Sequence, residues 1–245
     1  TTEIYTLSLH DALPIFAFAL PAYAFFASAL PVWLLLTPRG YLSSFMKIGV
    51  FGALVVGVVF INPEIRFPAL TQFVAGGGPV LSGPVWPFIS ITIACGAISG
   101  FHAFIGSGTT PKLIDKWSDI LPVAFGGMLA ECLVGIMALI AAIALHPADY
   151  FAINAAPAAF KALGMTVVDL PTLSDQIGLD LYGRTGGAVT LAVGMTTIFT
   201  KIPWFSHLAG YFFQFVVMFE AVFILTAVDS GTRVARYLIQ DLAGH

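Results

Sequence analysis

Residues 86–112 read WPFISITIACGAISGFHAFIGSGTTPK. The stretch begins as an apolar run long enough to enter a bilayer, then gives way to glycine, serine and threonine around a histidine. Gly96, Ser99, Gly100, His102, Gly106, Ser107, Gly108, Thr109 and Thr110 fall within fifteen positions of one another. Glycine costs about 1 kcal/mol per residue inside a helix, and Pro111 breaks one when placed in its interior. A helix that unravels near membrane depth is stable only where protein or water covers its freed backbone groups. Broken helices of this kind line substrate and ion sites in secondary transporters. The same residues admit a plainer reading, in which Gly96 and Gly100 form a GxxxG packing face and the rest is an ordinary loop. Spacing alone favours the plainer reading.

Working outward, 58% of the 245 residues are hydrophobic and only 9% are charged. Mean hydropathy is +0.94. A soluble domain carries about 25% charge, so this surface is not built for water. Several apolar runs approach the roughly 20 residues needed to cross hydrocarbon. The expected class is all-α, a polytopic bundle of transmembrane helices forming one domain, with the lipid bilayer as its first partner. A net charge of -3 without basic clusters argues against nucleic acid as a partner. Cys95 and Cys132 both lie in apolar runs and match no metal or redox spacing.

Residues 1–15, TTEIYTLSLHDALPI, do not belong with the rest. They have no basic n-region and no cleavage pattern, and they read as a non-native leader, like translated adapter sequence joined at about Phe16. Spans are expected near 16–36, 45–61, 85–105, 120–145 and 205–228. A shorter apolar piece, 186–202, either dips into the membrane and returns or crosses as a sixth span. Arg39 falls in a short loop, and Lys47 sits close enough to its span's start to snorkel. Residues 62–84 form a turn-dense loop, and residues 146–185 a polar loop with four aspartates. Lys and Arg in short loops set orientation, which puts Arg39, Lys47, Lys112 and Lys116 on the cytoplasmic side. A re-entrant 186–202 places Arg233 and Arg236 on that side as well.

Two carboxylates lie inside spans. Glu131 is near the middle of its span with Gly127 at i−4 and Gly135 at i+4. An ionised carboxylate at the bilayer centre costs about 2.5–3.5 kcal/mol on insertion scales, so it faces a partner or a wet cavity, or it carries a proton. A structural bond to a neighbouring helix and a proton-coupling role both satisfy that requirement. Glu220 sits among Met218, Phe219 and Phe223. Asp229 is nine residues further on, roughly 180° around a regular helix, so the two are not a dyad on one face. Asp229 opens DSGTR, where it is expected to cap a helix carrying Arg233 and Arg236. His102 is the one ionisable group in the third span. It suits proton or anion handling, although a lone histidine in an apolar helix is more often a satisfied packing residue. Phosphate-loop, HExxH, CxxC and GxSxG patterns are all missing, so no enzyme, cofactor or metal is expected.

Four ordered motifs then tell more than composition does. PVWLLLTPRGYLSSFMKIG, ITIACGAISGFHAFIGSGTTPK, DYFAIN and FEAVFILTAVDSGTRVARYLIQDL together resemble the carbon starvation protein A family. The resemblance covers nearly everything after Phe16. Members of that family are bacterial inner-membrane proteins, longer than this chain, associated with peptide uptake during carbon starvation and, in close relatives, with proton-coupled pyruvate uptake. It therefore implies an internal fragment of such a transporter, lacking the family's N-terminal and C-terminal helices. The family's grouping with amino acid–polyamine–organocation transporters implies an inverted-repeat bundle with broken helices at the midplane.

On that view residues 95–112 form one discontinuous helix, and the balance moves toward a site. The candidates for substrate or ion binding are Gly96, Ser99, Gly100, His102, Ser107, Thr109 and Thr110. The candidates for proton coupling are Glu131 and Glu220. The expected function is proton-driven uptake of peptides or a small carboxylate such as pyruvate. A membrane nutrient sensor or scaffold that moves no substrate is the alternative, and a passive channel is a weaker third.

Overall fold

The structure is a computed structural model that describes residues 17–244 apart from 32, 98, 99, 109 and 204. The expected leader, residues 1–15, lies outside the described residues. Every element among those described is helical, with no strand. In chain order the α-helices are α1 (Ala17–Ala29), α2 (Leu36–Ile61), α3 (Ser90–Ala97), α4 (Gly100–Gly108), α5 (Thr110–Leu113) and α6 (Gly127–Ile143). They continue with α7 (Pro147–Asn154), α8 (Pro157–Leu163), α9 (Leu170–Ile177), α10 (Gly187–Phe199) and α11 (Ala209–Leu242). Short turns lead into α6, so Trp117–Ile143 acts as one helical rod.

Among the described residues, three helices are long and apolar enough to cross a membrane: Leu36–Ile61, Trp117–Ile143 and Ser206–Leu242. Even the first, at 26 residues and 1.5 Å per residue, reaches roughly 39 Å, beyond the hydrocarbon thickness of about 30 Å.

The chain divides into two compact units. One comprises Met46–Ser99 and Lys116–Ala221. Its core gathers Leu54 from α2, Ala141 from α6, Ile153 from α7, Leu170 from α9 and Val216 and Phe219 from α11 around α10. Helix α10 is buried on all sides: Leu191, Ala192, Val193, Met195, Ile198 and Phe199 are core, and Thr190 and Thr196 are buried with them. A helix apolar all round belongs inside a protein. Its hydroxyls need partners there: Thr190 exchanges hydrogen bonds with the Asn154 side chain of α7, and two others turn back into their own helix. Thr196 donates to the Ala192 carbonyl at 2.7 Å and Thr197 to that of Val193 at 2.9 Å. Gly194 lets α10 approach the backbone of α6, because a Cβ there would lie 2.4 Å from the Ala141 carbonyl oxygen.

Residues 146–185, expected as a polar loop, instead hold α7, α8 and α9. These helices have eight, seven and eight residues, too short to be stable alone. Tertiary contacts hold them, which is why no periodic run announced them. Asp149 is 1% exposed and accepts backbone N–H bonds from Val168 at 2.8 Å and Asp169 at 2.9 Å. Asp169 in turn pairs with Arg66, and the Arg66 backbone N–H reaches the Ile143 carbonyl at 3.0 Å. Phe67, Tyr150, Phe151 and Phe73 stack edge to face around that junction. In the loop after α2, Gly76 and Gly77 take φ values of +113° and +77°, and the Gly77 N–H closes the turn onto the Ser82 carbonyl.

The other unit comprises Thr1–Phe45, Gly100–Asp115 and Val222–His245. Two sequence expectations are corrected there. Arg39 is not in a loop, because α2 begins at Leu36 and accommodates Pro38 in its first turn, where its missing N–H is not needed. Asp229 is not a cap, because α11 continues without interruption to Leu242. Helix α11 also closes on α4, with Val234 3.3 Å from where a Cβ on Gly108 would sit. The loosening expected from the glycines of residues 96–110 does not reach Gly100–Gly108, which is helical. Local propensity of this size is readily overridden by packing.

Gly194→Ala is expected to lower stability by about 1–3 kcal/mol, because the added methyl collides with fixed backbone. Gly135→Ala, which meets nothing within 4 Å, should be neutral or stabilising. Thermal unfolding midpoints of both variants in detergent check this, and equal shifts would refute the close approach.

Candidate functional site

A carboxylate inside an apolar helix has to be neutralised by a nearby cation, by a proton or by water. Asp229, on the longest apolar helix, is 0% exposed. The cation is Arg39, whose Nη1 lies 2.7 Å from Asp229 Oδ2. Its position in the first turn of α2 makes this meeting possible. The same guanidinium donates from Nη1 to the Tyr23 hydroxyl on α1 at 2.7 Å and from Nη2 to Thr226 Oγ1 at 2.9 Å. Tyr23 lies against both members of the pair. The Arg39 guanidinium and the Tyr23 hydroxyl are the groups that face the Asp229 carboxylate, though neither meets it in ideal hydrogen-bond alignment. Access is unequal: the Arg39 side chain is 20% exposed and that of Asp229 is sealed.

One turn further along α11, Arg233 is 2% exposed and donates from Nη2 to the carbonyls of Ala27 at 2.5 Å and Leu30 at 2.8 Å. Arg236 reaches the Ser28 and Ala29 carbonyls. Both guanidiniums therefore occupy the C-terminal end of α1, where free carbonyls and the helix dipole favour positive charge. Ser28 Oγ returns a bond to the Thr232 carbonyl at 3.2 Å. Lys112, on α5, sits with Nζ 3.9 Å from the Tyr237 ring centroid. Among the described residues, the unit thus places three guanidiniums near one buried carboxylate.

The residues nominated from sequence are distributed differently. Gly96 is exposed near the end of α3, and Glu131 faces outward on α6. Glu220 is half-buried on α11, and all three belong to the unit built around α10. Gly100, His102, Ser107 and Thr110 belong to the other unit, where His102 and Ser107 are exposed on α4 and Thr110 opens α5 half-buried. Ser107 Oγ donates to the Ala103 carbonyl of its own helix at 2.8 Å. Ser99 and Thr109 lie outside the described residues.

Sequence reasoning missed Arg39 and Asp229 as a site because each was assigned a bland local role. The signal available was that Asp229 directly follows an apolar run and has no basic neighbour within three positions.

A cleft of about 450 Å³ lies outside the apolar spans, lined by Ser174, Asp175, Asp180 and Tyr182 among others. Burial, then the nearby Asp149 and Asp180 carboxylates, holds the Tyr182 phenol above its usual range. Burial alone raises that of Tyr150. Both phenols therefore remain neutral donors near neutral pH.

Long apolar helices with a buried ion pair between them define the chain as a helical membrane protein. Sequence comparison then names its family. The family described as Carbon starvation protein CstA matches residues 3–245, and the chain belongs to it. That match includes most of the segment set apart as a leader. The Peptide transporter CstA of Bacillus subtilis (strain 168) is 75% identical over 245 residues, covering 98% of this chain and 41% of the relative. The Peptide transporter CstA of Escherichia coli (strain K12) is 44% identical, with 92% and 35% covered. The Pyruvate/proton symporter BtsT of the same organism is 42% identical, with 93% and 37% covered. The chain thus spans about two fifths of the length of the curated relatives it matches. Their names are those of transporters, which points away from catalysis and toward transport. No solved structure matches the chain.

Arg39→Met or Asp229→Leu alone is expected to lower stability by about 3–5 kcal/mol, because each strands a buried charge. Arg39→Met combined with Asp229→Leu should recover most of that loss. Denaturant unfolding of the four proteins closes the double-mutant cycle. Additive losses would show that the two side chains do not depend on each other.

Proposed function

We propose that the chain is an internal part of a secondary active transporter of the CstA type, a multi-pass protein of the bacterial inner membrane. It imports peptides or a small carboxylate such as pyruvate, driven by the proton gradient. The observation that carries this reading is a membrane-embedded ion pair within a family whose relatives are named as a peptide transporter and a pyruvate/proton symporter. Charged groups within spans are costly and mark substrate or ion pathways.

In this reading helices supplied by the rest of the full-length protein cover the outward face of α6 that carries Glu131. Glu131 and Glu220 take and release protons as the protein alternates between inward-facing and outward-facing states. The stretch from Gly96 to Thr110, with His102, presents polar groups and helix ends to an anionic substrate. Helix α10, at 13 residues and roughly 20 Å, enters the membrane without crossing it. An inverted-repeat bundle with broken helices accounts for such a short, fully packed helix beside three long ones.

The full-length transporter in proteoliposomes is expected to accumulate labelled dipeptide or pyruvate only when a proton gradient is imposed. Accumulation indifferent to the gradient would remove the coupling claim. Substrate binding with no uptake would point to a sensor. Glu131→Gln and Glu220→Gln are each expected to lower gradient-driven accumulation, and a variant with normal coupled uptake is struck off as a proton carrier.

A further inference from the structure

We infer that Arg39 is a binding site for the substrate carboxylate and that Asp229 is its built-in competitor, released from Arg39 by taking a proton. This rests on the transport reading above and adds to it two residues that sequence alone left in local roles. A guanidinium binds carboxylates in a forked geometry, and an aspartate side chain and a free carboxylic acid anion present the same group to it. In the structure one Asp229 oxygen lies 2.7 Å from Nη1, while Nη2 is held by Thr226. The sealed member of the pair is the carboxylate and the reachable member is the cation, so an approaching anion meets Arg39 first.

The surroundings favour an anion over a cation. Facing the pair are Tyr23 from α1 and Thr226 from its own helix, both neutral ligands of the guanidinium. Arg233 and Arg236 follow on α11, engaged with the α1 carbonyls, and neither has a carboxylate partner among the described residues. Helix α4 brings His102 and α5 brings Lys112 to the same unit. Among the described residues, Asp229 is thus the one buried carboxylate beside these arginines. Taking up a proton removes the charge that draws Asp229 to Arg39 and frees the guanidinium for another carboxylate.

The exchange balances. Asp229 takes one proton from water on the entry side, and its oxygen–hydrogen bond forms as its ion pair with Arg39 breaks. The substrate carboxylate takes the vacated place on Arg39, so the buried charge stays at zero. On the exit side the substrate leaves, Arg39 pairs again with Asp229, and the proton returns to water. Loading either carboxylate without the other step would bury two anions against one guanidinium, or leave one cation alone, and both are unfavourable. One proton therefore accompanies each carboxylate. A monocarboxylate such as pyruvate then moves without net charge, whereas a zwitterionic dipeptide carries one positive charge with it.

The test uses the full-length transporter in proteoliposomes with imposed pH gradients and, separately, potassium-diffusion potentials. With pyruvate, uptake should follow the pH gradient and ignore the potential. With a dipeptide, an inside-negative potential should drive uptake, and a C-terminally amidated dipeptide should not be taken up. Potential-driven pyruvate uptake, or transport of the amidated peptide, would overturn the inference.

Asp229→Asn should retain exchange of labelled for unlabelled substrate while losing gradient-driven accumulation. Arg39→Gln with Asp229→Asn removes both charges and should bind substrate about a hundredfold more weakly. A purely structural ion pair predicts instead that this double variant regains coupled transport, and that result sinks the proposal. If the unsubstituted protein takes up neither substrate under any gradient, the transport reading itself falls. Coupled uptake by the unsubstituted protein and the double variant alike removes only the carboxylate-exchange role of Arg39 and Asp229.

Discussion

A buried carboxylate without water needs a counter-charge, and in this protein much follows from that need. Asp229 sits in α11 with no exposure, so a cation has to be delivered to it through protein. Arg39 arrives because α2 starts early enough to include it, and Pro38 permits that start. Tyr23 then finds its donor, α1 lies along α11, and Arg233 and Arg236 close over the α1 carbonyls. Each contact satisfies a polar group that lipid would leave unsatisfied. The pair is also the place where losing a charge changes the most, since a buried ion pair is far more stable than either half alone.

The unit around α10 obeys a different constraint. Its central helix is enclosed by protein, so it must be both apolar and internally satisfied. Threonine meets both conditions, offering a methyl group to the core and a hydroxyl to the carbonyl one turn back. Gly194 provides the close approach to α6 that a larger residue forbids. Outside the spans, Asp149 does for α7 and α9 what a regular hydrogen-bond ladder does elsewhere. It anchors two N–H groups that no helix uses.

Legibility from sequence followed the length scale of each signal. Apolar runs of twenty or more residues are repeated evidence for one conclusion, so the helical membrane class and the motifs of the family were plain. The helices of residues 146–185 were not, because helices of seven or eight residues leave no periodic trace and depend on contacts made elsewhere. Glu131 and Glu220 stood out because a carboxylate inside an apolar run is conspicuous. Asp229 stood at the edge of its run, where capping is the ordinary explanation, and only the continuation of α11 to Leu242 removed it. The glycines of residues 96–110 suggested unwinding by their intrinsic cost, yet Gly100–Gly108 remained helical, with Ser107 bonded back into its own turn.

What the sequence determined by itself was composition-level physics: which segments prefer lipid, which side chains are expensive there, and which family's ordered motifs recur. Those properties are local or additive along the chain, so they survive without coordinates. The tertiary structure alone decided which charges meet. Arg39 and Asp229 are 190 positions apart, and no spacing rule links them. Their partnership depends on where helices pack, and packing is a property of pairs of surfaces rather than of any one segment.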